Sequence, residues 1–237
     1  MQKYDILSKV PNIYLFFFGI HALSLNFAYM KRLLLLAILL SSLMPRCMAQ
    51  TLDIYFVNAP KSVLPLLDRT ARLDLMDLYA SGLPAKAENL YGGQSELLKK
   101  TSDYLMLKTS DAGTWQLKVL TAGHDTLLVC IQSVEADGVS SRISVYQNDW
   151  KMVKRDMPHL TNEKFVKNST EVTDFDRQRL MPTLLHLPIQ ATWHADEPVI
   201  TFCLNLNSLP KEYINLAKEL TKNISYKWQS GKFVAQP

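Results

Sequence analysis

The sequence predicts an α+β fold, in which one or more antiparallel meander sheets carry a few helices packed on one face. Four segments between residues 104 and 149 alternate apolar and polar side chains, as strands of an antiparallel sheet do. Turn-forming residues of hairpin length separate them, at 111–113, 123–125 and 135–138. Two other segments, 59–82 and 208–223, repeat apolar residues at the three- and four-residue spacing of a helix.

Before the meander, we expect one strand and two helices. Residues 51–57 have the composition of a strand. In the helix that follows, Ser62 is the expected cap, Pro65 lies in the first turn, and Gly82 ends the helix. A short second helix is expected around 95–100.

The C-terminal part repeats some of this pattern. Two pairs of segments align, 126–134 with 199–207 and 143–153 with 224–234. The members of the second pair lie further apart in the sequence than those of the first. The expected helix at 208–223, for which Ser208 is the expected cap, accounts for the difference. A duplicated helix-plus-sheet unit would produce this repeat, although all amphipathic strands resemble one another at period two. The polar, weakly periodic segment 155–180 separates the halves, so we expect one unit at 50–155 and a second, packed on it, at 156–237.

Residues 30–49 contain the three parts of a secretory signal peptide. A basic pair opens the segment, an apolar run at 33–43 follows, and small side chains precede Gln50. We therefore expect cleavage after Ala49 and export of the rest of the chain to the periplasm or cell envelope. A lipoprotein signal that uses Cys47 fits less well, because a bulky arginine directly precedes that cysteine.

The residues before Met30 allow two interpretations. Residues 12–29 are apolar over nearly the length of a membrane span, so with 33–43 they could form a membrane hairpin. We favour the other interpretation, in which translation begins at Met30 and residues 1–29 are an over-extended gene start. The second apolar run is short and ends in a cleavage site, and we expect no membrane span in the exported part.

Removal of the leader changes the charge of the chain. The whole sequence carries a formal net charge of +4, from 26 basic and 22 acidic residues. Residues 1–49 hold five of the basic residues and one acidic residue, which leaves 21 of each. A neutral chain with interspersed charges lacks the basic surface that binds nucleic acid. The charge therefore excludes nucleic acid from the expected partners.

A hydrolase-like site would have to include His194 or the Gly92-Gly93 turn. His194 stands close to Asp196 and Glu197, and such a group can transfer protons or bind a metal. However, no second histidine has a ligand spacing, and Asp-Glu-Pro is a good turn between two strands. Gly92-Gly93 could offer N–H groups to an anion, but the lysine of a phosphate loop is missing. We expect no catalytic, metal or cofactor-binding residue.

Other polar residues have simpler interpretations. Asp74 and Asp77 share one face of the expected helix and could act as paired carboxylates, but the neighbouring arginines favour a solvated charged surface. Three histidines are assigned to loops: His124, His159 and His186.

Cys130 and Cys203 remain after cleavage. Each projects from the less apolar face of its expected strand. In an oxidising compartment, two cysteines form either one disulfide or two separate thiols. A bridge is possible if the two strands are neighbours; otherwise both are small buried thiols, which is the interpretation we favour.

Aromatic residues recur near the expected strand ends, at Trp115, Tyr146, Trp150 and Trp193. A surface lined by them could bind a carbohydrate or a protein partner. Such residues more often complete the core of a sheet.

Three motifs are the most specific in the chain: Arg-Leu-Asp-Leu at 72–75, Asn89 with Gly92-Gly93, and the spacing of Tyr146 and Trp150. Through these motifs, residues from about 60 to 193 resemble a family of small exported proteins of unknown function found in Bacteroidetes. The resemblance implies a secreted or envelope location and supports Met30 as the start. It implies no activity and no functional residue.

The sequence therefore predicts an exported protein that acts as a noncatalytic binding or protein-interaction module of the cell envelope. The alternative is a hydrolase-like enzyme with a site near His194 or the Gly92-Gly93 turn. A cleft that joins His194 to another histidine, or to Asp74 and Asp77, would favour the enzyme. A broad aromatic patch would favour the interaction module.

Overall fold

The computed structural model describes residues 31–32, 52–123, 125–136 and 138–237. The chain divides into two compact units, Met1–Ala49 and Gln50–Pro237. In the first unit the description covers only Lys31 and Arg32, which are helical. The expected gene-start segment, the rest of the signal peptide and its cleavage site lie outside the described residues. None of the described helices combines the length and the apolar character needed to cross a membrane.

The unit Gln50–Pro237 is an α+β fold built on two antiparallel sheets. Its helices are α1 (Leu52–Val57), α2 (Arg69–Ala80), α3 (Asp174–Leu184) and α4 (Lys211–Leu220), with 3₁₀ turns at Asn162–Phe165 and Leu206–Ser208. The strands of the first sheet are β1 (Lys86–Glu88), β2 (Gln94–Lys100), β3 (Tyr104–Ser110), β4 (Gly113–Ala122), β5 (Asp125–Glu135) and β6 (Val139–Gln147). Those of the second sheet are β7 (Ile189–Trp193), β8 (Val199–Leu204), β9 (Ile224–Gln229) and β10 (Lys232–Ala235).

The first sheet is a six-stranded meander in which each strand pairs with the next one along the chain. Strands β3 to β6 and their turns lie where the period-two pattern predicts them. The second sheet has the order β10-β9-β8-β7. The expected antiparallel α+β fold is confirmed, with six strands in one sheet and four in the other.

The six-stranded sheet is buried on both faces, as β5 shows. Leu127, Val129 and Ile131 pack into a core shared with the second sheet and with α3 and α4. Leu128 and Cys130 point the other way, into a core formed with α1 and α2. Successive side chains of a strand alternate between faces, so one strand contributes to both cores. Helices α1 and α2 thus cover one face of the meander, and the second sheet covers part of the other.

Buried polar side chains join the two sheets. The Oε1 atom of Gln116 accepts hydrogen bonds from the Tyr104 hydroxyl at 3.1 Å and from the Trp193 backbone N–H at 3.0 Å. Lys118 is fully buried, and its Nζ donates to the Ala195 carbonyl at 2.9 Å. Since Trp193 belongs to the edge strand β7, these contacts fix that edge on the face of the first sheet.

Residues 51–57 do not form the expected strand. They lie mostly in α1, where Leu52, Tyr55 and Phe56 are buried. The three- and four-residue spacing of these side chains places them on one side of a helix. Packing against the first sheet therefore outweighs the strand propensity of the segment.

Residues 95–100 form strand β2, and the helix expected there is wrong. Ser95 and Leu97 are buried at a period of two, and the register then shifts between Leu97 and Lys99. Such a bulge interrupts the alternation of a strand. The adjacent leucines at 97 and 98 therefore do not show the period-two pattern of a strand.

Both expected helix caps are also wrong. Helix α2 starts later than Ser62 would require, because the Asp68 carboxylate caps it by accepting the Ala71 N–H at 2.8 Å. Helix α4 has Pro210 at its N-cap position, and Ser208 belongs to the preceding 3₁₀ turn.

The polar segment 155–180 contains the start of α3, which the sequence pattern did not indicate. This helix exposes Phe175 and includes Pro182, so its apolar residues make no regular stripe.

A unit boundary near residue 155 and a duplication stay predictions. The aligned hairpins do share one feature, a left-handed residue at the same offset: Trp150 (φ 65°) and Gly231 (φ 85°).

Candidate functional site

A groove between helix α2 and strand β1 is the candidate site. Gly82 follows α2 with a φ of 69°, which confirms the predicted helix end and turns the chain towards β1. The groove has a volume of about 650 Å³. Its helix wall includes Asp68, Ala71, Asp74, Asp77 and Leu78, and its strand wall is Lys86, Ala87 and Glu88.

Strand β1 leaves one side of its backbone open to the groove, because it pairs with β2 alone. Ala85 and Asn89 form backbone hydrogen bonds with the β2 side, at 2.9 and 2.8 Å. Backbone groups alternate in direction along an antiparallel strand, so those of Lys86 and Glu88 point away from β2. The Lys86 N–H donates a hydrogen bond to the Pro84 carbonyl, two residues earlier, at 3.0 Å. The Glu88 N–H and the carbonyls of both residues form the open edge.

The arginine nearest the helix carboxylates points into the core. Arg72 is buried, and it donates to the carbonyls of Phe56 and Ala59 at 3.0 and 2.5 Å. This burial lowers the pKa of Arg72 from its ordinary value. Arg72 therefore holds α1 against α2 and forms no ion pair with Asp74 or Asp77, which lie exposed on the charged helix surface that the sequence predicts.

The groove consequently carries an excess of negative charge. Asp74, Asp77 and Glu88 form no ion pair with any residue that the structure describes. The one lysine in the lining, Lys86, lies 3.7 Å from Glu96. Three carboxylates thus remain uncompensated around an open strand edge.

Exposed apolar side chains stand at both ends of β1. Leu83, just before the strand, is 56% exposed, and Leu90 and Tyr91, just after it, are 51% and 83% exposed. Large apolar side chains in such exposed positions mark interaction surfaces when they cluster. Here they bracket the open edge.

The Gly92-Gly93 turn offers no anion site. The Asn89 Oδ1 atom accepts the N–H groups of Tyr91 and Gly93 at 3.0 and 3.1 Å, and the Asn89 carbonyl accepts that of Gly92 at 3.0 Å. Gly92 has a φ of 78°, which favours glycine. These residues make a tight turn whose N–H groups are already bonded, and the phosphate hypothesis for them is wrong.

His194 lies in the turn after β7, and its ring hydrogen-bonds to a hydroxyl group. Its Nε2 atom is 2.9 Å from the Thr201 hydroxyl, which is 2.8 Å from the Ser225 hydroxyl on the neighbouring strand. A nucleophile needs a base that a third group orients, and no such group contacts the His194 ring among the described residues.

The carboxylates beside His194 are engaged elsewhere. Asp196 lies 3.7 Å from Lys99, and Glu197 lies 3.7 Å from Lys227. In the described part of the chain, no three His, Cys, Asp or Glu side chains gather as a metal site would require.

The structure does not join His194 to the other candidate groups. Asp74 and Asp77 lie on α2, which covers the first sheet, whereas His194 belongs to the second sheet. The His186 Nδ1 atom is 2.7 Å from the Pro182 carbonyl. The His159 backbone carbonyl accepts the Lys164 Nζ–H at 2.7 Å, and His124 lies outside the described residues. The cleft that would favour a hydrolase is not formed by the described residues.

The candidate aromatic residues lie mainly in the two cores. Trp115 packs under α1 and α2, and Trp193 packs between the sheets, each 2% exposed. Tyr146 is buried too, with its ring centroid 5.4 Å from that of Trp150. The four side chains therefore form no shared surface, and core packing accounts for them.

Cys130 and Cys203 are free thiols in this structure. Cys130 points into the helix-covered core, while Cys203 faces away from the core between the sheets. Both sheets thus lie between them, and the geometry does not bring them together. Burial raises the pKa of both thiols, that of Cys130 well above its ordinary value.

Comparison with known proteins adds a family and a fold. A solved structure of a domain of an uncharacterized protein from Porphyromonas gingivalis W83 has a similar fold, with a TM-score of 0.63 and 23% sequence identity over 78% of this chain and 97% of that chain. No curated protein matches the chain. The family described as protein of unknown function (DUF3256) matches residues 44–233, which are most of the sequence. The chain therefore belongs to this family of unknown function.

Proposed function

We propose that the chain from Gln50 onward is a noncatalytic binding module of the cell envelope that holds a protein partner in the groove between α2 and β1. One observation carries this proposal: β1 combines an open backbone edge with exposed apolar residues at both of its ends. A strand edge without cover invites pairing with another chain. A protein partner fits this surface better than a carbohydrate, because an open strand edge pairs with a peptide backbone, and because Trp115, Tyr146 and Trp193 are buried.

The leader supports an envelope or periplasmic location. A basic pair, an apolar run and small residues before Gln50 have the order of a secretory signal. We therefore propose cleavage after Ala49, translation from Met30, and export, as the resemblance to exported Bacteroidetes proteins implies. N-terminal sequencing of the protein from its native cells tests this step. A chain that retains residues 12–45 would contradict it.

Site-specific photo-crosslinking in the native cells tests the binding surface. A photoreactive residue at Glu88 should give one discrete adduct with another protein. The same residue at Val134, which is 51% exposed at the far end of β5, serves as the control and should give none. Equal adducts from both positions, or none from Glu88, would contradict a binding function of the groove.

A further inference from the structure

The edge of β1 differs from two other sheet edges of the protein, which are covered. Beyond β6 the chain folds back, so that the Val153 N–H donates to the Val145 carbonyl at 2.9 Å and Met152 forms a bridge with Tyr146. On β7, Ser141 and Gln116 side chains accept the outward N–H groups of the strand, at 3.0 Å in both cases. No backbone or side-chain group among the described residues covers β1 in this way.

The charge of the groove selects the kind of segment that could pair with β1. Asp74, Asp77 and Glu88 lie along the groove without an ion-pair partner among the described residues, and Ala71 and Leu78 add apolar surface to its lining. Lysine and arginine can lay their aliphatic stems on such surfaces while the charged head reaches a carboxylate. An acidic or neutral segment would leave these carboxylates uncompensated.

A second copy of the chain fits this edge less well. Two β1 strands placed antiparallel about Ala87 would match Lys86 with Glu88 in each direction, which is favourable. The same arrangement brings two grooves together, each lined by Asp74 and Asp77, and like charges repel. This repulsion between the aspartates of the two copies opposes self-pairing.

From these observations we propose that the groove binds an extended, basic segment of a partner protein, which adds to the first sheet as a seventh strand beside β1. This inference rests on the proposed function and names the chemistry of its partner. The segment would exchange backbone hydrogen bonds with Glu88 and Lys86. Side chains opposite Ala87 would point to α2, because Ala87 packs on that side, and lysine or arginine there meets Asp74 and Asp77.

The direct test uses capped synthetic peptides and the protein expressed from Met30 and purified after export. The probe is an eight-residue peptide that alternates lysine and valine, with binding followed by fluorescence anisotropy. One control replaces lysine by glutamate, and a second keeps the side chains but methylates every other backbone nitrogen, which removes the donors needed for strand addition. Only the unmodified lysine peptide should bind, and its affinity should fall with ionic strength.

Charge variants locate the binding. The double variant D74N/D77N should weaken binding about tenfold, as the loss of two partly exposed ion pairs implies. The matched control E212Q/E219Q removes two exposed charges from α4 and should leave the affinity unchanged. Equal loss in both variants would contradict a site at the groove.

Each remaining outcome of these experiments supports or overturns the inference. The inference is overturned if the glutamate peptide or the methylated peptide binds as tightly as the probe, if no peptide binds, or if the protein forms a dimer that Glu88→Pro disrupts. Loss of peptide binding with a persistent Glu88 crosslink in cells would overturn this inference alone. A peptide that binds without any such crosslink would support the groove chemistry and overturn the proposed envelope function.

Discussion

Replacing Gln116 by leucine removes the acceptor that joins the two sheets. In the native structure, Gln116 Oε1 accepts from the Tyr104 hydroxyl and the Trp193 N–H, at 3.1 and 3.0 Å. Both donors are buried, and leucine leaves them without a partner. Each unsatisfied buried donor costs about 1–3 kcal/mol, and added apolar burial offsets about 1–2 kcal/mol of the sum. From the middle of these ranges, we therefore expect the free energy of unfolding to fall by about 2–3 kcal/mol.

Urea unfolding followed by tryptophan fluorescence measures this change, and Tyr104→Phe is its control. The phenylalanine variant removes one donor and leaves Gln116 bonded to Trp193, so it should cost about 1 kcal/mol. In the Tyr104→Phe background, the Gln116→Leu change leaves only the Trp193 N–H without a hydrogen-bond acceptor. The double variant should thus lose about 1–2 kcal/mol less than the sum of the single variants. A Gln116→Leu protein as stable as the parent, or strictly additive losses, would refute a structural role for these bonds.

Three further predictions concern buried ionisable groups. Asp103→Ala should destabilise the protein more than Lys118→Met in urea unfolding. In the native protein the buried Lys118 Nζ lies 3.0 Å from the Asp103 carboxylate, so alanine leaves the buried charge unpaired, whereas methionine at 118 removes that charge. The reverse order of stabilities would contradict this prediction. Burial raises the pKa of Tyr104 to about 12. The folded state then binds the proton more tightly than the unfolded chain, so stability should fall by about 1.4 kcal/mol per pH unit between about pH 10 and 12, a loss that Tyr104→Phe should abolish. In a thiol assay on the chain from Gln50, Cys130 should react only after denaturation and Cys203 slowly beforehand; a single disulfide would contradict both.

The meander was predictable because its strands are long and regular. Strands β3 to β6 carry a period-two pattern, and short turns join them, so no distant contact is needed to assign them. The faces of β5 were less clear. Both Leu127 and Leu128 are buried, because cores lie on both sides of the sheet, and no local pattern shows which core receives which residue.

The errors lie where tertiary contacts or irregular geometry override the local pattern. Leu52–Val57 has strand propensity but forms a helix that packs on the sheet. The bulge after Leu97 interrupts the period-two pattern of β2, so the sequence did not indicate a strand there.

The groove could not be predicted from the sequence, for a different reason. Strand β1 has only three residues, too few for a period to show. Arg72 stands near Asp74 in sequence, yet its side chain turns inward to α1, and only the fold reveals this. One signal was present: the apolar Leu83, Leu90 and Tyr91 stand among turn-forming glycine and proline residues, where apolar side chains are unusual.

Hydrogen exchange of the backbone N–H of Glu88 tests the central claim most directly. In the free protein, the outward N–H of Glu88 should exchange quickly, while the Asn89 N–H, bonded to the β2 side, should be protected. Saturation with the lysine–valine peptide should slow exchange at Glu88 at least tenfold, because the added strand accepts that hydrogen. If Glu88 is already as protected as Asn89 in the free protein, or if its exchange is unchanged at saturation, the edge of β1 is not a binding site for an added strand.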